Sequence, residues 1–132
     1  MPVTLHISDQ TATGQKTNEL TLDLLTERIS VRELIRSRVY QEVKDHNVKA
    51  NQAVFQGFVQ PTDAERTLNG FKLRQPGQLD WKRQYEVAVQ AFERNGFLIL
   101  VDDRQVESLD EEIAVAPETQ VSFVKLVPLV GG

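Results

Sequence analysis

The hydrophobic pattern predicts an α+β fold with strands first, helices in the middle and strands again. Three observations carry this. Apolar residues alternate with polar ones near the start, at Val3, Leu5, Ile7 and again at Leu20, Leu22, Leu24. The spacing then switches to helical at Val31, Leu34, Ile35, Val39, Val43 and at Trp81, Tyr85, Ala88, Val89, Phe92. Short apolar runs at Phe97-Leu-Ile-Leu-Val101 and from Val121 to Val130 bring strands back at the end. Period two belongs to half-buried strands and period 3.6 to helices with one buried face.

Taken in order, the first two runs form a hairpin across the polar stretch Thr11 to Thr17, which contains Gly14. The first helix is well signalled at its start. Ser30-x-x-Glu33 is a capping box, and Ile29 and Leu34 are placed as a hydrophobic staple. Arg28, Arg32 and Arg36 recur every four residues and are expected to line one side of that helix as a solvent-facing stripe or an acidic-partner docking surface. An insert from about Asn47 to Asn95 follows. Its second helix is capped by Asp80 and ends near Gly96. Its aromatic stripe is what any packed helix needs, so a core role is expected. Thr62-x-x-Glu65 is expected to cap a single helical turn, and Asn69-Gly70 and Pro76-Gly77 punctuate an otherwise irregular stretch anchored by Phe55, Phe58 and Phe71.

Beyond the insert, Phe97 to Val101 reads as a buried strand, Asp102-Asp103 as a turn and Gln105-Val106 as its short return. Leu109 and Ile113 anchor the next connection, and Ala116 to Gln120 turns into the last strand. In that strand Val121 and Phe123 share one face, while Val124 and Leu126 share the other with Ser122. Both faces are therefore partly apolar, and either the insert or a partner must cover the second.

Composition narrows the functions. A chain of 132 residues is expected to form one domain able to bury a core without disulfides. It has no cysteine, so any thioester chemistry must use a partner's thiol. A formal charge of -4 opposes binding to a nucleic-acid backbone. No apolar run approaches the roughly 18 residues of a membrane helix, so no membrane partner is expected. Met1-Pro-Val-Thr-Leu-His-Ile lacks a secretion signal's basic and long apolar regions, so a cytoplasmic location is expected. Catalytic residues are not evident. His6 and His46, the two histidines, are expected at the surface, and the Asp102-Asp103 and Asp110-Glu111-Glu112 clusters suit solvated turns. Phosphate loops, nucleophile elbows and zinc spacings are absent, so no enzyme and no bound cofactor or metal are expected.

The ending is the most informative segment. Leu126-Val127-Pro128-Leu129-Val130 makes an unusually apolar approach to Gly131-Gly132, and Pro128 would release the last residues, 127–132, from a sheet as a flexible tail. A Gly-Gly tail without Cβ atoms fits a channel too narrow for side chains and presents its carboxylate to a partner's site.

The element order and the ending Phe123-Val-Lys-Leu-Val-Pro-Leu-Val-Gly-Gly132 resemble the ubiquitin-like β-grasp proteins, especially the sulfur carriers of molybdopterin and thiamine synthesis. The resemblance covers Val3 to about His46 and Phe97 to Gly132, leaving the insert unmatched. It implies a helix lying diagonally across a mixed sheet. It also implies a modifier whose Gly132 carboxylate is adenylated by an activating enzyme using ATP and magnesium, passed to a conjugating enzyme's cysteine and delivered to an amine of a target protein. In that scheme Gly131 keeps the tail thin, Leu126, Val127, Pro128, Leu129 and Val130 dock it, and Val124 and Leu126 offer a partner-binding sheet face. The runner-up that the resemblance allows is a sulfur carrier, in which a sulfur-transfer enzyme converts Gly132 to a thiocarboxylate; the insert, which adds surface for selecting partners, favours the modifier. In the sulfur carriers a Gly-Asp pair usually occupies the turn that Pro117-Glu118 fills here. A non-catalytic binding module is the third reading.

Overall fold

The protein is described by a computed structural model covering residues 3–48, 54–55, 57–59, 64–67, 70–73 and 80–126. The alternating runs become the antiparallel strands β1 (Val3–Thr11) and β2 (Lys16–Leu24), longer than the apolar pattern alone implies. Their turn is tight: Thr11 and Gln15 are joined by a backbone bond of 2.9 Å, and Gly14 takes φ +91°, where a Cβ is strained.

A short strand, β3 (Arg28–Ser30), leads directly into helix α1 (Val31–Val48). Three amides of its first turn find acceptors. Val31 N donates to the Glu111 carbonyl and Arg32 N to that of Leu109, both at 2.9 Å, and Glu33 N donates to Ser30 Oγ at 3.1 Å. Arg28 lies in β3, so the expected three-arginine helical stripe reduces to Arg32 and Arg36. Arg32 pairs with Asp110 at 3.4 Å, and Arg36 sits 5.1 Å from the centre of the Trp81 ring.

In the insert, residues expected to be irregular form a small antiparallel sheet, ordered β4 (Val54–Phe55), β6 (Gly70–Leu73), β5 (Ala64–Thr67). Glu65 lies in β5, so the expected helical turn after Thr62 is corrected to extended backbone. The reason is pairing: Glu65 sits opposite Lys72 in a ladder that a local cap does not outweigh. Thr62, Asn69, Pro76 and Gly77 lie outside the described residues, as do the side chains of Phe55 and Phe71. Helix α2 (Trp81–Glu93) is capped as expected, with Lys82 N donating to Asp80 Oδ1 at 3.0 Å. It closes on Asn95, at φ 60°, with Gly96 N reaching back to the Ala91 carbonyl at 2.8 Å.

Strands β7 (Phe97–Val101), β8 (Arg104–Val106), β9 (Glu112–Ala114) and β10 (Gln120–Lys125) complete the chain. Asp102 and Asp103 both take positive φ, 49° and 68°, which is the two-residue hairpin conformation whose twist suits the flanking strands. Asp102 also ties that hairpin to β10, because its Oδ1 accepts Gln120 N at 2.9 Å.

The main sheet has five strands in the order β2-β1-β10-β7-β8. Its central pair, β1 and β10, is parallel, with Ile7 opposite Val121 and Thr11 opposite Lys125. The other pairings are antiparallel. A single core gathers Leu5, Ile7, Ile99, Val121 and Phe123 from the sheet with Val31, Leu34, Ile35, Val39 and Val43 of α1 and Ala88 and Phe92 of α2. Leu109 and Ile113 close it from the connection, as expected. The fold is therefore α+β, a mixed sheet with both helices packed into one core. Among the described residues no helix is long and apolar enough to cross a membrane.

Candidate functional site

The last strand occupies the middle of the sheet, and alternation divides its side chains between two environments. Val121 and Phe123 are each about 1% exposed in the core. Of the residues expected on the outer face, Val124 is buried at 9% exposure and lies opposite Leu98, whereas Leu126 is 40% exposed. Of the two residues expected on a partner-binding face, only Leu126 is exposed. There the ladder ends: Leu126 N donates to the Gly96 carbonyl at 3.0 Å. Val127, Pro128, Leu129, Val130, Gly131 and Gly132 lie outside the described residues.

Beside β10 the outer face is polar. The Ser8 and Ser122 hydroxyls meet at 3.2 Å across the parallel pair, and Gln10 Nε2 donates to both at 3.3 Å. These groups, with His6, Lys16 and Glu19, line a shallow groove of about 520 Å³. His6 is exposed as expected. His46 is not: it is 5% exposed, because it falls one turn beyond Val43 on the buried side of α1.

Beneath the sheet lies a cluster that hydrophobic patterning passed over. Arg38, 2% exposed, donates from Nη1 and Nη2 to the two oxygens of Asp9 at 2.5 and 2.6 Å. Its Nε and Nη2 also reach Glu42 Oε2 at 3.3 and 3.2 Å. The guanidinium carbon lies 4.7 and 4.6 Å from the centres of the Phe58 and Phe123 rings. Burial drives the Glu42 carboxyl above its ordinary pKa, with the Asp9 charge adding to the effect and Arg38 opposing it. Burial disfavours the Arg38 charge too, but Glu42 and Asp9 outweigh it and hold the guanidinium above the ordinary arginine value.

No family model, curated protein or solved structure matches this chain. Among the described residues, no three His, Cys, Asp or Glu side chains converge as a metal ion would require. The Asp110–Glu112 carboxylates instead serve local structure: Glu111 accepts Arg104 Nη1 at 2.6 Å, and that bond holds its pKa below the ordinary value.

The cluster carried a sequence signal. Asp9 continues the inward phase of Val3, Leu5 and Ile7, and Arg38 lies four residues from both Leu34 and Glu42. A charge in an apolar phase on two elements at once marks a buried pair.

Proposed function

We propose that this chain is a protein modifier of the ubiquitin-like β-grasp kind, acting through the carboxyl group of Gly132. The β-grasp reading is supported by the strand order β2-β1-β10-β7-β8, by the parallel pairing of β1 with β10, and by a helix that follows the first hairpin and packs into the sheet's core. The observation that carries the functional reading is the position of the last strand. A central strand leads, five residues past the exposed Leu126, to Gly131-Gly132.

The chemistry asks little of the chain itself. In an activating enzyme, a Gly132 carboxylate oxygen attacks the α-phosphorus of ATP, forming an acyl adenylate and releasing pyrophosphate as its magnesium complex. An enzyme cysteine thiolate then displaces AMP to give a thioester. A target amine displaces the thiolate, loses a proton and leaves an amide bond. Leu126 is the described member of the apolar stretch that would seat the tail on those enzymes, and an exposed leucine at a strand exit suits that role.

Intact mass of the protein purified from its native host tests this reading. The expected result is a ladder of larger adducts, each carrying Gly132 in amide linkage to a lysine, and loss of the ladder when Gly132 is deleted. A sulfur-for-oxygen mass gain without adducts would instead identify a sulfur carrier, in which sulfide displaces AMP from the same adenylate, or a persulfide does so and a second thiol then cleaves the resulting acyl disulfide to leave the thiocarboxylate. Adducts that survive deletion of Gly132 would leave a binding module.

A further inference from the structure

The main sheet has one long margin. Strand β2 runs nine residues, against three for β8 at the opposite end, and among the described residues it has a strand only on its β1 side. Such a margin presents a row of unpaired amides and carbonyls, which proteins commonly shorten, break with proline or cover. No proline interrupts β2. Among the described residues three large apolar side chains are exposed, and two of them border this margin. Leu25, 85% exposed, directly follows β2. Tyr40, 45% exposed, lines a groove of about 590 Å³ between β2 and α1 together with Leu22, Arg36 and Gln41. Its ring is held edge-on against Trp81, at a centroid distance of 5.3 Å.

The charges along β2 say what the margin fits. On the outer face Glu19, Thr21 and Asp23 stand opposite Ser8, His6 and Thr4, and the register shift between Asp9 and Gln10 leaves Lys16 opposite Gln10 on that same face. The row is therefore basic where the strand begins and acidic where it ends. Two copies of β2 paired antiparallel with full overlap bring Leu20 onto a two-fold axis and lay the Lys16 end of each beside the Asp23 end of the other. Glu19 then falls opposite Thr21, not opposite an acid. A parallel pairing would instead set Lys16 beside Lys16 and Asp23 beside Asp23, where like charges repel.

We propose that β2 is a self-association edge, along which two copies of this chain pair antiparallel and join their five-stranded sheets into one of ten. The contact is isologous, so each Lys16–Asp23 pairing occurs twice. On the inner side Leu20, partly buried against the core, meets its own counterpart, and the added strand roofs the groove beside Tyr40. One strand pair makes a small interface, so the association is reversible and depends on concentration. It does not depend on the modifier reading, because Leu126 follows β10, on the other side of β1 from this edge.

Sedimentation equilibrium of the full chain over a concentration series tests the proposal, with hydrogen exchange at low and high concentration beside it. The expected mass rises from one chain toward two. Lys16→Asp and Asp23→Lys should each weaken association by about tenfold at low salt, since each turns two attractive pairs into repulsive ones. The double variant should recover most of the loss. Within one copy the two residues are seven positions apart, about 23 Å along a strand, so that recovery can come only from pairing between copies. The amides of β2 should exchange more slowly as concentration rises, and those of β8 should not. A wild-type chain that stays monomeric at every concentration would overturn the proposal and leave the edge to an extended peptide of another protein. Association that the single swaps leave unchanged, or that the double swap does not recover, would count against it equally. Where a variant does not fold, the wild-type exchange profile decides.

Discussion

Arg38 and Asp9 join helix α1 to the first strand through a bidentate ion pair in which both side chains are almost fully buried. Breaking such a pair from one side leaves a charge without its partner, at a cost of about 3–5 kcal/mol. Asp9→Asn should destabilise the protein by about 3 kcal/mol, the low end of that range, because Glu42 still faces the guanidinium. Urea denaturation measures the loss. The Glu42 carboxyl should also titrate lower in this variant, since a repelling charge is gone and Arg38 is left to it.

Gln84 has one described task in the core, its bond to the Val59 carbonyl. Gln84→Ala leaves that buried oxygen without its donor and should cost about 1–3 kcal/mol. Thermal denaturation reads the cost. Unchanged stability would mean that water reaches the carbonyl.

Both helices begin on a side-chain cap. Ser30→Ala and Asp80→Ala each remove an acceptor from a first-turn amide, and each should cost about 1 kcal/mol by chemical denaturation. A near-zero value at Ser30 would show that the Glu111 and Leu109 carbonyls hold the start of α1 unaided.

The Arg104–Glu111 pair lies at the surface, where salt screens it. Because the folded state lowers the Glu111 pKa, its contribution is present above the ordinary carboxylate value and is lost as pH falls through the lowered one. The stability gap between wild type and Glu111→Gln should therefore close in acid and narrow at high salt. Paired melts across pH and salt would reveal a gap that fails to do either.

Leu126 is exposed, so Leu126→Ser should change stability by no more than about 0.5 kcal/mol. Under the modifier reading it should nevertheless weaken adduct formation in the native host, read as a fainter ladder on intact mass. Equal adduct yields would remove Leu126 from the docking surface.

Much of this architecture was legible because one physical signal, apolar periodicity, dominates where an element has one buried face. The stripe of α1 from Val31 to Val43 is buried at all five positions. The stripe of α2 was also legible, although Gln84 shares the buried side with Ala88 and reads as polar. Strands β3 and β9 escaped because each is three residues long and exists through pairing Ile29 with Ile113, far apart in sequence. The insert's strands escaped for a related reason. Ala64-Glu-Arg-Thr67 has no alternating apolar face, so its extended form comes from its ladder partners.

At the candidate site, the apolar and glycine-rich ending was plain in the sequence, and so was the division of β10 into two faces. The burial of Val124 was not, because alternation tells which side a residue faces and not how deeply that side is covered. His46 was expected at the surface, and Asp9 and Arg38 carried no expectation; all three are buried in phase with apolar neighbours, where charge and polarity cease to signal exposure.

The parallel bond between β1 and β10 has a consequence during biosynthesis. The Ser8 and Ser122 hydroxyls that touch across it are 114 residues apart in the chain. At translation rates of ~5–20 residues per second, roughly 6 to 23 seconds separate their appearance on the ribosome. For that interval the first hairpin has one margin without its neighbour, an open template for pairing with other nascent chains. Premature termination before Gln120 would make that state permanent, so truncated products should aggregate or be degraded rather than accumulate as partly folded fragments.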